Sequence, residues 1–372
     1  MGIYEELGIR KVINCLGPYT KVGGSLMPEE VVKTMHEAAK SFVSIDELLE
    51  KSGEKIAEIT GAPAAFITSG AAAGLAVSAA ACMAGSDPMK AKQLPDTSGM
   101  KDEITIHRCH RIHYDQAVRL TGARFVEIGF SDWSDADDLK QYINSETAAI
   151  LYVAKFESLN CSIPLDKVIK VAHYVKIPVI VDAADELPPA SNLHKFINMG
   201  ADLVIFSGGK GLRGPQGSGL ILGDKDLIKA CSVNANPNYG IGRSMKVDKE
   251  EIAGLTKAIE LYVKKDFESE MQFWERQQEY IMDKLSGVSH IKCTTHKPVS
   301  PGAPGSFYLP AVYIDLDKEG LFLTKSEIIQ KLWEENPRIA VDELPTGIVI
   351  RLMMMESGQE KKVVEKLLEI FK

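Results

Sequence analysis

The sequence predicts an α/β fold: a large domain on a mainly parallel seven-stranded sheet, followed by a small C-terminal α+β domain. Three observations carry that expectation. From about Pro28 to Gly223, short apolar and β-branched runs alternate with longer helix-like segments, the pattern of parallel strands covered by helices on both faces. Seven such runs occur, enough for one large sheet. After Lys249 the alternation gives way to a long helical stretch and a short mixed series.

In chain order the expected strands are AAFIT (64–68), EITIH (103–107), RFVEIG (124–129), AAILYVA (148–154), IPVIVDAA (177–184), DLVIFS (202–207) and GLILG (219–223). Between them, segments such as Leu165 to Val175 space their apolar residues as a helix does. The stretch AGSDPMKAKQLPDTSGMKDE (84–103) is polar and rich in turn residues, so it reads as a surface loop near the active-site end. One long helix is expected from Lys249 to about Leu285, then a strand at 311–315, a helix at 324–335, strands near 338–342 and 348–352, and a final helix ending at Lys372. The corresponding division is an N-terminal segment (1–30), a large domain (31–255), a connecting helix (256–290) and a small domain (291–372).

Composition narrows the function. With 45% hydrophobic and 25% charged residues, the 372-residue chain can bury a large core and still present a water-facing surface. A net charge of −8 argues against a surface built to neutralise nucleic-acid phosphates. The six cysteines lie far apart and form no CxxC pair, so they read as reduced thiols in a cytoplasmic protein. The start MGIYEELGIRK lacks a basic segment followed by an apolar run, and no apolar stretch is long enough to span a bilayer, which excludes secretion and membrane insertion.

Three local features carry chemistry. Thr68-Ser69-Gly70-Ala71 follows an apolar run and opens an alanine-rich helix; small residues there let backbone N–H groups approach an anion, although the same turn also serves simple packing. Asp182 ends the run IPVIV, at the strand end where α/β sheets bind ligands; a carboxylate in such apolar surroundings wants a cationic partner, the alternative being a helix N-cap. Lys210 sits in FSGGKGLRGPQGSG (206–219), where so many glycines must permit an unusual backbone or a close neighbour. A lysine partly desolvated there loses its proton more readily, as a Schiff-base amine requires. Pyridoxal 5′-phosphate (PLP) needs an amine, a carboxylate for its ring nitrogen and a cradle for its phosphate. Lys210, Asp182 and the Ser69 turn offer one each.

The stretches VINCLG (12–17), IDELLEKSGEKIAEITGAPAAFITSGAAAG (45–74), VDAADELPP (181–189), FSGGKGLRGPQGSGLI (206–221) and GRSMKVDKEEIAGL (242–255) resemble the fold-type I PLP enzymes. Within that fold, which is similar to aspartate aminotransferase, they resemble the branch of bacterial selenium transferases acting on seryl-tRNA and its shorter relatives of the D-glucosaminate-6-phosphate ammonia lyase kind. The resemblance implies Lys210 as the cofactor-holding lysine and the acid/base at Cα, Asp182 as the ring-nitrogen partner, and Ser69, Gly70, Ala71 and Ser207 as phosphate ligands. It implies His110 as the residue stacked on the cofactor ring. Arg351 becomes the candidate for the substrate carboxylate, with a rim salt bridge as the alternative, and Arg243 and Lys246 candidates for phosphate or substrate.

Other residues take plainer readings. His107, Cys109, His110 and His113 lack a second ligand pair at recognisable spacing, so no metal is expected. Met353, Met354 and Met355 should fill core space, and Asp185 and Glu186 read as loop or capping groups rather than as a second acid/base pair. The chain begins almost at VINCLG, with little room for an RNA-contacting region. The resemblance therefore points to an ammonia lyase acting by α,β-elimination on a small polar 2-amino acid or amino-sugar acid, phosphorylated or not, with no nucleic-acid or membrane partner and a homodimer or higher homo-oligomer. Racemisation, aldol cleavage, selenium transfer and a non-catalytic role remain alternatives.

Overall fold

The computed structural model describes residues 2–130, 134–295, 309–317 and 323–371. Twelve strands occur among them: β1 (Val12–Cys15), β2 (Ala64–Thr68), β3 (Glu103–His107), β4 (Arg124–Ile128), β5 (Thr147–Val153), β6 (Val179–Asp182), β7 (Leu203–Ser207), β8 (Gly219–Gly223), β9 (Ile291–Thr294), β10 (Ala311–Leu316), β11 (Arg338–Glu343) and β12 (Gly347–Arg351). Two compact units hold them: Met27–Lys265, and the N-terminal residues to Leu26 together with the described residues from Asp266 onward.

The first unit carries the seven-stranded sheet, in the order β2-β8-β7-β6-β5-β3-β4. All seven strands fall within two residues of the expected runs. Pairing is parallel from β4 through to β7, whereas β8 runs antiparallel to both β7 and β2. β5, β6 and β8 are buried along their whole length, which is why they read as continuous apolar runs rather than alternating ones. The alanine-rich helix Ala71–Ala84 is also buried, every residue from Ala73 to Ala84 except Cys82. Small side chains let it lie close to the sheet: a Cβ at Gly74 would stand 2.9 Å from the Ile205 side chain.

The second unit holds a five-stranded sheet in the order β1-β11-β12-β10-β9. β1 enters it by parallel pairing with β11, and the other pairs are antiparallel. Ile13 and Cys15 of β1 share a core with Val312, Ile314, Ile348 and Ile350, with Trp274, Ile281 and Leu285 of the helix Phe267–Leu285, and with Met353, Met354 and Met355. The methionines thus fill core space as expected.

Two local expectations are corrected. The single helix from Lys249 to Leu285 is two, Lys249–Val263 and Phe267–Leu285, because Asp266 leaves the helical conformation and its carboxylate caps the second helix by accepting the Ser269 N–H at 3.1 Å. The stretch 84–103 is not all loop, since Pro88–Gln93 is a short helix. Asp87 accepts the Met89 N–H at 2.8 Å and Pro88 fills the first turn, a start signal present in the sequence. No helix of the described residues is long and apolar enough to cross a membrane.

Phe206, fully buried on β7 beside Lys210's loop, tests how much the core stabilises the sheet. Phe206→Ala should lower unfolding stability by about 3–5 kcal/mol, read from the urea transition followed by circular dichroism.

Candidate active site

Sheet register assembles the site. Thr68 of β2 faces Gly219 of β8, and Gly219 faces Ser207 of β7, so these three residues stand abreast at one end of the sheet. Asp182 of β6 pairs with Ile205 of β7 on one side and Val153 of β5 on the other. The C-terminal ends of β2, β5, β6 and β7 therefore open on a single edge, the place where α/β sheets bind ligands. Gly219 makes the row possible: a Cβ there would lie 2.4 Å from the Gly70 carbonyl carbon.

At that edge, Gly70 has φ +88° and precedes the helix Ala71–Ala84, whose N-terminus carries no side-chain cap. Uncapped N–H groups and the positive end of the helix dipole suit an anion. Ser69 donates its hydroxyl to the Met245 carbonyl at 2.9 Å, so its backbone rather than its hydroxyl is the free donor. Ser207 is half-buried, and its hydroxyl has no partner among the described residues. Gly70, Ala71 and Ser207 thus present donors that could hold a phosphate.

The glycines around Lys210 serve close packing rather than unusual φ. Gly208 donates its N–H to the Ser218 carbonyl at 2.9 Å, and Gly214 donates to that of Gly208 at 2.8 Å. A Cβ on Gly211 would stand 2.3 Å from the Leu187 carbonyl oxygen, so the loop after β6 lies directly on the lysine loop. The Lys210 side chain is 23% exposed, and its Nζ lies 3.5 Å from Asp185 Oδ1.

Asp182 is 7% exposed, and its Oδ1 accepts the Ala184 N–H at 3.0 Å, an arrangement that caps no helix. Burial pushes its carboxyl above the usual carboxylate range; the Ala184 N–H and the Lys210 charge pull it back, and Asp185 raises it. This carboxylate has no ion-pair partner among the described residues, and the protonated ring nitrogen of PLP is a group that would supply one. Together with Lys210 and the phosphate cradle, the residues fit the cofactor.

The stacking role expected of His110 does not fit. The ring has no solvent exposure, lying against Tyr152, His107 and Phe156. Its Nδ1 accepts the Val153 N–H at 3.2 Å, which leaves Nε2 to donate to Ser162 Oγ at 2.9 Å. Burial and then His107 lower its pKa to about 3, so it is a neutral strut under the strand ends with no face left for a cofactor. Arg243 and Lys246 are exposed in the first unit, with no ion-pair partner among the described residues. Arg351 belongs to the second unit, where it forms a half-exposed pair with Asp342 at 2.9 Å.

Asp185 and Glu186, expected as loop or capping groups, belong to an adjoining group of charges. Asp185 links two lysines, its Oδ1 lying 3.5 Å from Lys210 and its Oδ2 3.5 Å from Lys155. Glu186 is half-buried with no hydrogen bond or ion pair on its carboxyl among the described residues, and burial followed by the charge of Asp185 pushes it up to about 7. The available signal was the acidic run DAADE leaving a buried strand end.

A family model described as L-seryl-tRNA selenium transferase matches residues 12–273. The chain is 40% identical over 265 residues to D-glucosaminate-6-phosphate ammonia lyase of Salmonella typhimurium, an alignment covering 70% of each. It is 34% identical over 266 residues to 5′-C-glycyluridine monooxygenase-decarboxylase of a Streptomyces species, covering 70% of this chain and 65% of that one. A solved structure of D-glucosaminate-6-phosphate ammonia-lyase superposes with a TM-score of 0.85 at 31% identity, covering 100% of this chain and 98% of the other. The fold is that of the fold-type I PLP enzymes.

Burial of Asp182 sets a pH-dependent cost for the cofactor-free protein. A carboxyl whose folded pKa is raised above its ordinary value stabilises the fold at low pH, and that contribution is lost as pH rises through the folded value. Cofactor-free Asp182→Asn should therefore melt above the parent at neutral pH, and the difference should close toward pH 4, as measured by thermal scans across the range.

Proposed function

The chain belongs to the L-seryl-tRNA selenium transferase family, and from that membership we propose that it is a PLP-dependent lyase releasing ammonia from a small polar 2-amino acid. The related lyase's substrate, D-glucosaminate 6-phosphate, is the first compound to test. The observation that carries the proposal is the shared edge: Lys210, the buried Asp182 and the Gly70-Ala71-Ser207 cradle come from three strand ends brought abreast by register.

When bound, PLP supplies an electron sink that lets a bond at Cα of an amine substrate break heterolytically. Lys210 would hold the cofactor and, once released to substrate, hold or move the proton at Cα. Asp182 would keep a proton on the ring nitrogen; its burial favours that pairing, because a matching charge removes the penalty of an isolated carboxylate. The N–H groups of Gly70 and Ala71 and the Ser207 hydroxyl would take the phosphate. Ser69 would hold this turn in place through its bond to Met245. Arg243, Lys246 and Arg351 are the cations proposed for substrate carboxylate or phosphate, in a cytoplasmic homo-oligomer.

Holoprotein should absorb near 420 nm, fix that chromophore on borohydride reduction, and release ammonia and a keto acid from some member of a panel of D- and L-amino acids and 2-amino sugar acids. Lys210→Ala should lose the reducible chromophore and lower turnover by about a thousandfold or more. Racemised or carbon-cleaved substrate without ammonia would exclude the lyase.

A further inference from the structure

We propose that Lys155 binds the carboxylate that a 2-amino acid substrate carries on Cα. The proposal rests on the lyase function argued above and gives that group a partner beside Lys210. A 2-amino acid brings a negative charge close to its amine, and holding it out of water requires a matching cation. Lys210 does not serve, because its nitrogen is engaged first with the cofactor and then with the proton at Cα.

Distances place Lys155 there. Asp185 lies between two lysines, its Oδ1 3.5 Å from Lys210 Nζ and its Oδ2 3.5 Å from Lys155 Nζ. One carboxyl group therefore spans the space between the two nitrogens. The substrate presents the same group at a similar spacing: ordinary bond lengths put a carboxylate oxygen about 3 Å from the amine on the adjoining carbon. That amine is the one that takes over the cofactor from Lys210. A carboxylate beside it comes within reach of Lys155 as the Asp185 carboxyl does.

The fold brings Lys155 to the right edge and leaves it available. It lies on the turn Ala154–Phe156, two residues beyond Val153, whose register partner on β6 is Asp182. Its side chain is 62% exposed, and Asp185 is its one ion-pair partner among the described residues. Asp185 is 39% exposed, so it can turn to water when a substrate carboxylate takes its place. The exchange swaps one carboxyl group for another and leaves no buried charge unpaired. Arg351 pairs with Asp342 in the second unit, whereas Lys155 and Lys210 share a single partner.

The assignment sets a specificity. A cation at that spacing from the exchanging nitrogen selects 2-amino acids over simple amines and leaves the rest of the substrate, phosphorylated or not, to other groups. The carboxylate keeps its charge while the bonds at Cα and Cβ change, so the contact contributes to binding rather than to bond breaking. Its loss is read in KM and not in kcat.

Lys155→Ala in the holoenzyme separates this role from a structural one. D-glucosaminate 6-phosphate and β-chloroalanine, D or L, have in common only the 2-amino acid group, so KM should rise by about tenfold or more on both, with kcat within about threefold of the parent. Lys155→Arg, which keeps the charge, should recover most of the affinity. Lys155→Ala should also keep the borohydride-reducible chromophore and melt with the parent, because an exposed ion pair contributes little to stability. A probe that the parent does not turn over is read as an inhibitor of the other. An unchanged KM on both probes, a rise confined to the phosphorylated one, or a loss of kcat or chromophore in place of the KM effect would overturn the proposal while leaving the lyase intact. A parent that releases ammonia from neither probe would remove the lyase function and this role with it.

Discussion

The site depends on one strand running against its neighbours. β8 pairs antiparallel with both β2 and β7, so those two strands point the same way and end level with each other on either side of it. The turn and the hydroxyl proposed to take a phosphate can therefore come from residues more than a hundred positions apart in sequence. It also requires backbone to touch backbone, since Gly219 of β8 occupies space beside Gly70 that no side chain can share. A methyl group at Gly219 would push apart the turn that offers the N–H groups, without altering any residue proposed to contact the cofactor.

The same edge gathers charges that are costly before they are useful. Asp182 is buried with one backbone donor and no ion-pair partner among the described residues. The polypeptide alone keeps a carboxylate there against its solvation preference, so a cationic partner should bind more tightly than its contacts alone would give, and stabilise the fold as it binds. His110 represents the opposite arrangement, with both ring nitrogens bonded, its rings packed and its charge suppressed. One buried ionisable group is left short of a partner and the other is fully engaged, and that difference separates a candidate functional residue from a structural one.

Much of this was legible in the chain. Strands buried on both faces, as β5, β6 and β8 are, leave continuous apolar runs; all of β2 to β8 could be placed within two residues, and Lys210 and Asp182 stood out as polar residues where such runs end. The reversed direction of β8 was not legible, because a five-residue apolar run is the same in either sense. Nor was the partnership of β1 with β11, which joins segments more than three hundred residues apart. His110 misled because a histidine near a strand end looks alike whether its ring faces a ligand or the core. Asp185 and Glu186 were read alike, as loop or capping groups, because nothing local shows which of the adjacent acids in DAADE is shielded from water and which lies between lysines.

That last contrast follows from geometry on a short loop. Asp185 and Glu186 differ by one methylene and sit side by side, yet one is 39% exposed between two ammonium groups and the other is half-buried beside the first one's charge. Burial, Asp185 and Asp182 push the Glu186 carboxyl up while Lys195 and Lys155 pull it down, and burial is the largest of these influences. Lys210 pairs with Asp185 rather than with Glu186, so the lysine proposed to hold the cofactor engages one acid of this loop and leaves the other without an ion pair among the described residues.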